Sequence, residues 1–153
     1  MTFQYRTEVS SDWIDFNGHM RDAYYGLVFS YAMDDFLDHA GFTETYRETT
    51  GCTIYLMECH TFYLAEVHQG APLTIECRVL DVDAKRFQMH LTMLSVGNVR
   101  AVNERLELHV NQRPEPHAEL LPEDIRGRLE DMRMAPAEVE GLKHRSRRLG
   151  FKK

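Results

Sequence analysis

Nowhere in the chain does an apolar run approach the ~20 residues that a membrane-spanning helix needs. The start, MTFQYRTEVSSDW, has no basic stretch leading into an apolar one, so we expect neither a membrane span nor a signal peptide. Cysteine is scarce. Cys52, Cys59 and Cys77 are odd in number and form no CxxC pair, which reads as reduced thiols in a cytoplasmic protein. The eight histidines fall into no HExxH and no Cys/His set at zinc-site intervals, and no metal is expected. Absent too are GxSxG, a glycine-rich phosphate loop and a Rossmann fingerprint, which argues against a serine nucleophile.

Positive charge is in short supply except at one end. Net charge is −6, which argues against general nucleic-acid binding. The last eleven residues, KHRSRRLGFKK, nevertheless hold six Lys/Arg and no acid, leaving 12 basic against 24 acidic residues before them. We divide the chain into a single domain, 1–142, and a basic tail, 143–153. Such a tail is either a solvated terminus or a patch for phosphoryl groups, which Arg and Lys commonly bind.

What remains is an ordinary globular balance, 43% hydrophobic and 27% charged, enough for one domain with its own core. Residues 3–9 alternate as a first strand, and a polar segment, SSDWIDFNGHMRD, follows. From Ala23 to Met33 the sequence AYYGLVFSYAM is apolar nearly all round, as in a helix buried on every side. Asp22 is its expected N-cap, Gly41 its stop, and Gly26 a site of close backbone approach. Strands follow at 52–63, 72–82, 86–96 and 100–111. In the second, Leu73, Ile75, Cys77 and Val79 face one way; in the third, Phe87, Met89, Leu91 and Met93 do. Residues 122–132 read as a short surface helix. A long apolar helix needs a wrapper, and an antiparallel sheet is the one available, giving an α+β fold with the helix cradled by the sheet.

The segment Asp15-Phe16-Asn17-Gly18-His19-Met20-Arg21-Asp22-Ala23-Tyr24-Tyr25 resembles the signature of the 4-hydroxybenzoyl-CoA thioesterase family of hotdog proteins. Asp15, Gly18, His19, Met20 and Tyr25 match it, while Arg21 and Asp22 stand where Asn-Asn is common. Phe62-Tyr63-Leu64-Ala65-Glu66-Val67-His68-Gln69-Gly70 resembles the family's strand end. The resemblance implies a hotdog fold, an acyl-CoA thioesterase activity with no cofactor beyond the coenzyme A thioester as substrate, and a homodimer or homotetramer. It also implies that Asp15 is the catalytic acid, either attacking the carbonyl or activating water. Backbone N–H groups from Gly18 to Tyr25, at the positive end of the helix, are the expected oxyanion donors. Asn17, Gly18, His19 and Tyr25 support the loop. The bland alternative is that Asp15 and Asn17 only cap a turn. A binding module without catalysis would keep the fold and not depend on Asp15.

Two further groups bear on the acyl moiety. Trp13, Phe16, Tyr24 and Tyr25 cluster around Asp15, as core residues or as a surface for a quaternary ammonium through cation–π attraction. WIDFNGHMRDAYY is similar to the thioesterases of carnitine degradation, which hydrolyse betainyl-CoA to glycine betaine. That resemblance implies a cationic acyl group in an acidic, aromatic site, with Arg145, Arg147 and Arg148 taking the coenzyme A phosphates. In the first long strand, strict alternation puts Glu58 and His60 on one face with Ile54, Leu56 and Phe62. They are then a structural polar pair at a subunit seam, or acyl-pocket residues facing a neighbour's Asp15 loop. Glu104, among Val102, Leu106, Leu108 and Val110, raises the same question.

Overall fold

A computed structural model describes residues 2–151; Lys152 and Lys153 of the basic tail lie outside it. The chain runs β1 (Phe3–Glu8), a 3-10 turn (Ser11–Trp13), α1 (Asp22–Ala40), α2 (Glu44–Thr50), β2 (Cys52–Tyr63), β3 (Pro72–Val82), β4 (Arg86–Ser95), β5 (Asn98–Asn111), β6 (His117–Ala118), α3 (Glu123–Asp131) and α4 (Pro136–Glu140). The strands form one antiparallel sheet in the order β1-β3-β4-β5-β2, with β6 pairing β5. The sheet lies around α1 in the expected α+β hotdog arrangement. α2, β6 and α4 are additions to the expected elements.

α1 buries Tyr25, Val28, Phe29, Ala32, Met33, Phe36 and Ala40, the i, i+3, i+4, i+7 spacing of a single apolar stripe. That stripe shares one core with Leu73, Ile75, Cys77 and Val79 of β3 and Phe87, Met89, Leu91 and Met93 of β4. Each buried Val, Leu, Ile, Phe or Met among them contributes roughly 1.5–3 kcal/mol. The helix is therefore not buried all round. Ala23, Gly26, Ser30 and Tyr31 are exposed, and a Cβ on Gly26 would meet nothing within 4 Å, so close approach does not explain that glycine here. Arg21 rather than Asp22 occupies the N-cap position, and it makes no side-chain capping bond. Asp22 instead accepts a hydrogen bond from the N–H of Ala23 at 2.9 Å. Gly41 ends the helix as expected, at φ 113°. Its N–H donates to the carbonyl of Asp38 at 3.2 Å, and that of Phe42 to Leu37 at 2.9 Å, the double closure that favours a left-handed glycine.

A bulge in β2 decides which way its second half faces. Leu56 pairs with Glu107, but Glu58 pairs with Leu106, leaving Met57 as the extra residue. The alternation slips by one at that point. Ile54 and Leu56 pair with His109 and Glu107, whereas Glu58, His60 and Phe62 pair with Leu106, Glu104 and Val102 on the opposite face. The expectation of a single face from Ile54 to Phe62 is corrected by that inserted residue.

Candidate active site

The polar segment before α1 folds into a small hairpin. Ile14 pairs with Met20, the N–H of Asp15 donates to the carbonyl of His19 at 2.8 Å, and that of Gly18 to the carbonyl of Asp15 at 3.0 Å. Gly18 sits at φ 81°, a conformation that costs glycine little and other residues more. Asp15 Oδ1 accepts from the N–H groups of Asn17 at 2.8 Å and His19 at 3.2 Å, so the turn-capping role weighed for Asp15 is present in the structure. No hydrogen bond engages Oδ2 among the described residues. The hairpin is anchored to the segment after β2. Met20 N–H donates to Val67 at 2.8 Å, His19 pairs with His68, and His68 Nδ1 lies 3.3 Å from the Gly18 carbonyl.

Asp15, His19, Asp22, Tyr25, Tyr63 and Glu66 line one cleft of about 380 Å³. Tyr25 is buried, its hydroxyl donates to the Ala65 carbonyl at 3.4 Å, and its ring meets that of Tyr63 edge to face at 5.3 Å. Burial, reinforced by the charge on Glu66, pushes the Tyr25 phenol above its usual pKa. Burial, then Asp22, does the same for Tyr63. Both therefore remain neutral phenols at physiological pH. His19 Nε2 is 3.1 Å from Glu66 Oε2. The cleft thus joins three carboxylates, two phenols and the first turn of α1, whose dipole favours developing negative charge.

Within the expected range of oxyanion donors, Gly18 to Tyr25, several N–H groups have partners inside the protein. The N–H groups of Gly18, His19, Met20, Arg21, Ala23 and Tyr24 are already engaged. Those of Asp22, the first residue of α1, and Tyr25 are not among those commitments, and both residues line the cleft.

The other expected acyl-pocket and phosphate residues do not line this cleft. Trp13 stacks on Tyr24 with centroids 6.0 Å apart, both partly buried against the core, and Phe16 is 92% exposed. Glu58 and His60 border a different depression, of about 410 Å³, with Gln88, Glu104, Ser146 and Arg147. Arg145 is not free for a phosphate. Its Nε and Nη2 donate to Glu104 at 2.8 and 3.2 Å, while Arg147 lies 5.7 Å above the Phe62 ring and Arg148 is exposed. Sequence reasoning missed Asp22, Tyr63, Glu66 and His68 as neighbours of the site. From sequence, Tyr63-Leu-Ala-Glu66-Val-His68 shows only a strand ending in a turn. The available signal was two aromatics and two ionisable groups crowded at that end.

Residues 9–129 match the model of the thioesterase-like superfamily. The chain is 39% identical over 109 residues to the betainyl-CoA thioesterase of Pseudomonas aeruginosa, covering 70% of this chain and 69% of that protein. It is 39% identical over 108 residues to the L-carnitine dehydrogenase/betainyl-CoA thioesterase of Agrobacterium fabrum, of which it spans 22%. Among solved structures, a hypothetical protein of Staphylococcus aureus in complex with CoA superposes with a TM-score of 0.81 at 28% identity, covering 96% of each chain. None of the residues lining the cleft lies outside the matched segment.

Proposed function

Because the chain belongs to the thioesterase-like superfamily and is an acyl-CoA thioesterase, we propose that its substrate is betainyl-CoA and that Asp15 is the working carboxylate. The observation that carries this reading is the cleft itself. Asp15, Asp22 and Glu66 converge on a space walled by Tyr25 and Tyr63, and a trimethylammonium group is stabilised by nearby carboxylates and by aromatic faces. The 39% identity to a betainyl-CoA thioesterase supports the same substrate.

In the reaction, oxygen adds to the thioester carbonyl carbon, the C–S bond breaks, and the sulfur leaves as the coenzyme A thiolate, which takes a proton from solvent water or, on the base route, from Asp15. Asp15 Oδ2 acts either as the attacking oxygen, with water later cleaving the anhydride, or as the base that takes a proton from water. Negative charge on the carbonyl oxygen is met by the N–H of Asp22 and the first turn of α1. For the coenzyme A phosphates, Arg147 and Arg148 remain as candidates, because Arg145 is committed to Glu104.

The working unit in this reading is at least a homodimer. β2 is an outer strand of the sheet, and it exposes Tyr55, Leu56, Met57 and Tyr63. A second copy of β2 would cover this edge.

The experiment is release of free coenzyme A from betainyl-, acetyl-, hexanoyl- and benzoyl-CoA by wild type and Asp15→Asn. Asparagine retains an oxygen that can accept from Asn17 and His19, so the loop should survive the change. Loss of about 10²–10⁴ in kcat with an unchanged circular dichroism spectrum is expected. Full activity in Asp15→Asn would remove Asp15 from the mechanism. A preference for hexanoyl- or benzoyl-CoA would remove the cationic substrate and leave the thioesterase.

A further inference from the structure

Pairing between the Asp15 hairpin and the segment after β2 brings together three side chains distant in sequence. His19 and His68 are directly opposed in an antiparallel bridge, so their side chains stand on one face of it. Their rings meet edge to face with centroids 5.0 Å apart. Glu66 reaches the same place, with Oε2 3.1 Å from His19 Nε2. One ligand-type atom from each of the three lies within 4.8 Å of the other two.

The protonation of His68 follows from its partner. Its Nδ1 faces the Gly18 carbonyl at 3.3 Å, and a carbonyl only accepts. Nδ1 therefore carries the hydrogen, and Nε2 of the neutral ring keeps its lone pair. Metal-binding imidazoles are commonly held in this way, one nitrogen donating to a carbonyl and the other facing the ion. His19 Nε2 now donates to Glu66, and an ion replacing that proton would retain both groups as ligands. Two imidazoles and a carboxylate form a donor set suited to Zn²⁺. At zinc–ligand bonds of about 2.0–2.1 Å, tetrahedral donors stand about 3.4 Å apart. The present spread closes by side-chain rotation, which the exposed Glu66 and His68 allow.

We propose that His19, Glu66 and His68 form a divalent transition-metal site, best matched to Zn²⁺, and that its occupancy blocks the adjoining Asp15 cleft. His19 and Glu66 both line that cleft, so a dication on them offsets its acidity and repels a cationic acyl group. The blocking rests on the cleft being the active site as proposed above; the metal site does not.

The test uses untagged protein, stripped with chelator and dialysed, carrying Cys59→Ser because Cys59 is an exposed thiol beside His60. Zinc chloride is titrated calorimetrically, and cobalt chloride is followed by its visible absorption. One equivalent is expected, with cobalt bands of low coordination number. Glu66→Gln and His68→Gln should each weaken binding by at least about tenfold. His117→Gln, an exposed histidine elsewhere, should not. Two variants guard against one of them disturbing the loop, and circular dichroism checks both. Absence of stoichiometric binding, or binding indifferent to both variants, overturns the site. Hydrolysis is then followed by loss of thioester absorbance with and without one equivalent of zinc. Inhibition in the parent that is lost in His68→Gln, whose side chain does not line the cleft, supports the blocking, and zinc bound without inhibition overturns it. Absence of hydrolysis in stripped protein would strike the active-site reading and leave the calorimetry standing.

Discussion

Glu104 shows how one residue ties the tail to the sheet. Its carboxylate, 1% exposed, accepts from Gln88 at 2.6 Å, from Arg145 at 2.8 and 3.2 Å, and from Ser146 N–H and hydroxyl at 2.7 and 2.9 Å. Burial alone would raise its pKa, but the bonds from Arg145 and Ser146 outweigh burial and hold it below the usual 4.5. A carboxyl with a lower pKa when folded contributes stability that is full above its unfolded value and is lost as the pH falls through its folded value. Glu104→Gln should cost about 1–3 kcal/mol at neutral pH in urea denaturation. The difference from wild type should shrink as the pH drops below about 4.5. Alternation alone placed Glu104 correctly among Val102, Leu106 and Leu108. Its partners Arg145 and Ser146 could not be read, because they come from a tail whose local sequence shows only charge and polarity. The same limit separates Asp15, legible through its motif, from Glu66 and His68, which reach it only through tertiary pairing.

Elements were legible where a periodic stripe is long, and missed where a single residue resets the period. β3 and β4 kept the faces their alternation assigns. β2 did not, because Met57 is inserted in one strand without a counterpart in β5. α2 was missed because Glu44–Thr50 has no apolar stripe; Thr43 Oγ1 capping the Tyr46 N–H at 3.2 Å starts it and Gly51 at φ 72° ends it. The β4–β5 hairpin carries a local conflict. Val96 has φ 50° beside Gly97 at φ 75°, and a β-branched residue is poorly suited to that region. Val96→Asn would create Asn-Gly, the pair such tight hairpins favour. It should stabilise the protein by about 1 kcal/mol, seen as a higher denaturation midpoint at unchanged activity.

At the scale of the molecule, the two outer strands of the sheet differ. β1 is short, with the exposed polar residues Gln4, Arg6 and Glu8 alternating along it, whereas the twelve-residue β2 is largely exposed and apolar at its centre. Leu56→Lys should therefore shift the species in light scattering towards single-chain mass and lower thioesterase activity with it. A dimeric, active Leu56→Lys would move the proposed seam elsewhere. The overall fold was legible because one helical stripe and two alternating strands enclose a common core. The division of the site residues between two faces was not, since it depends on the bulge.

Trp13 is the chain's single tryptophan, stacked on Tyr24, and its carbonyl accepts the N–H of Arg21 at 2.9 Å where the hairpin enters α1. The protein therefore has a built-in optical probe at the base of its candidate loop. Excited at the red edge of indole absorption, its emission should report binding of a coenzyme A ester beside the hairpin directly, with no label attached and no second fluorophore to subtract.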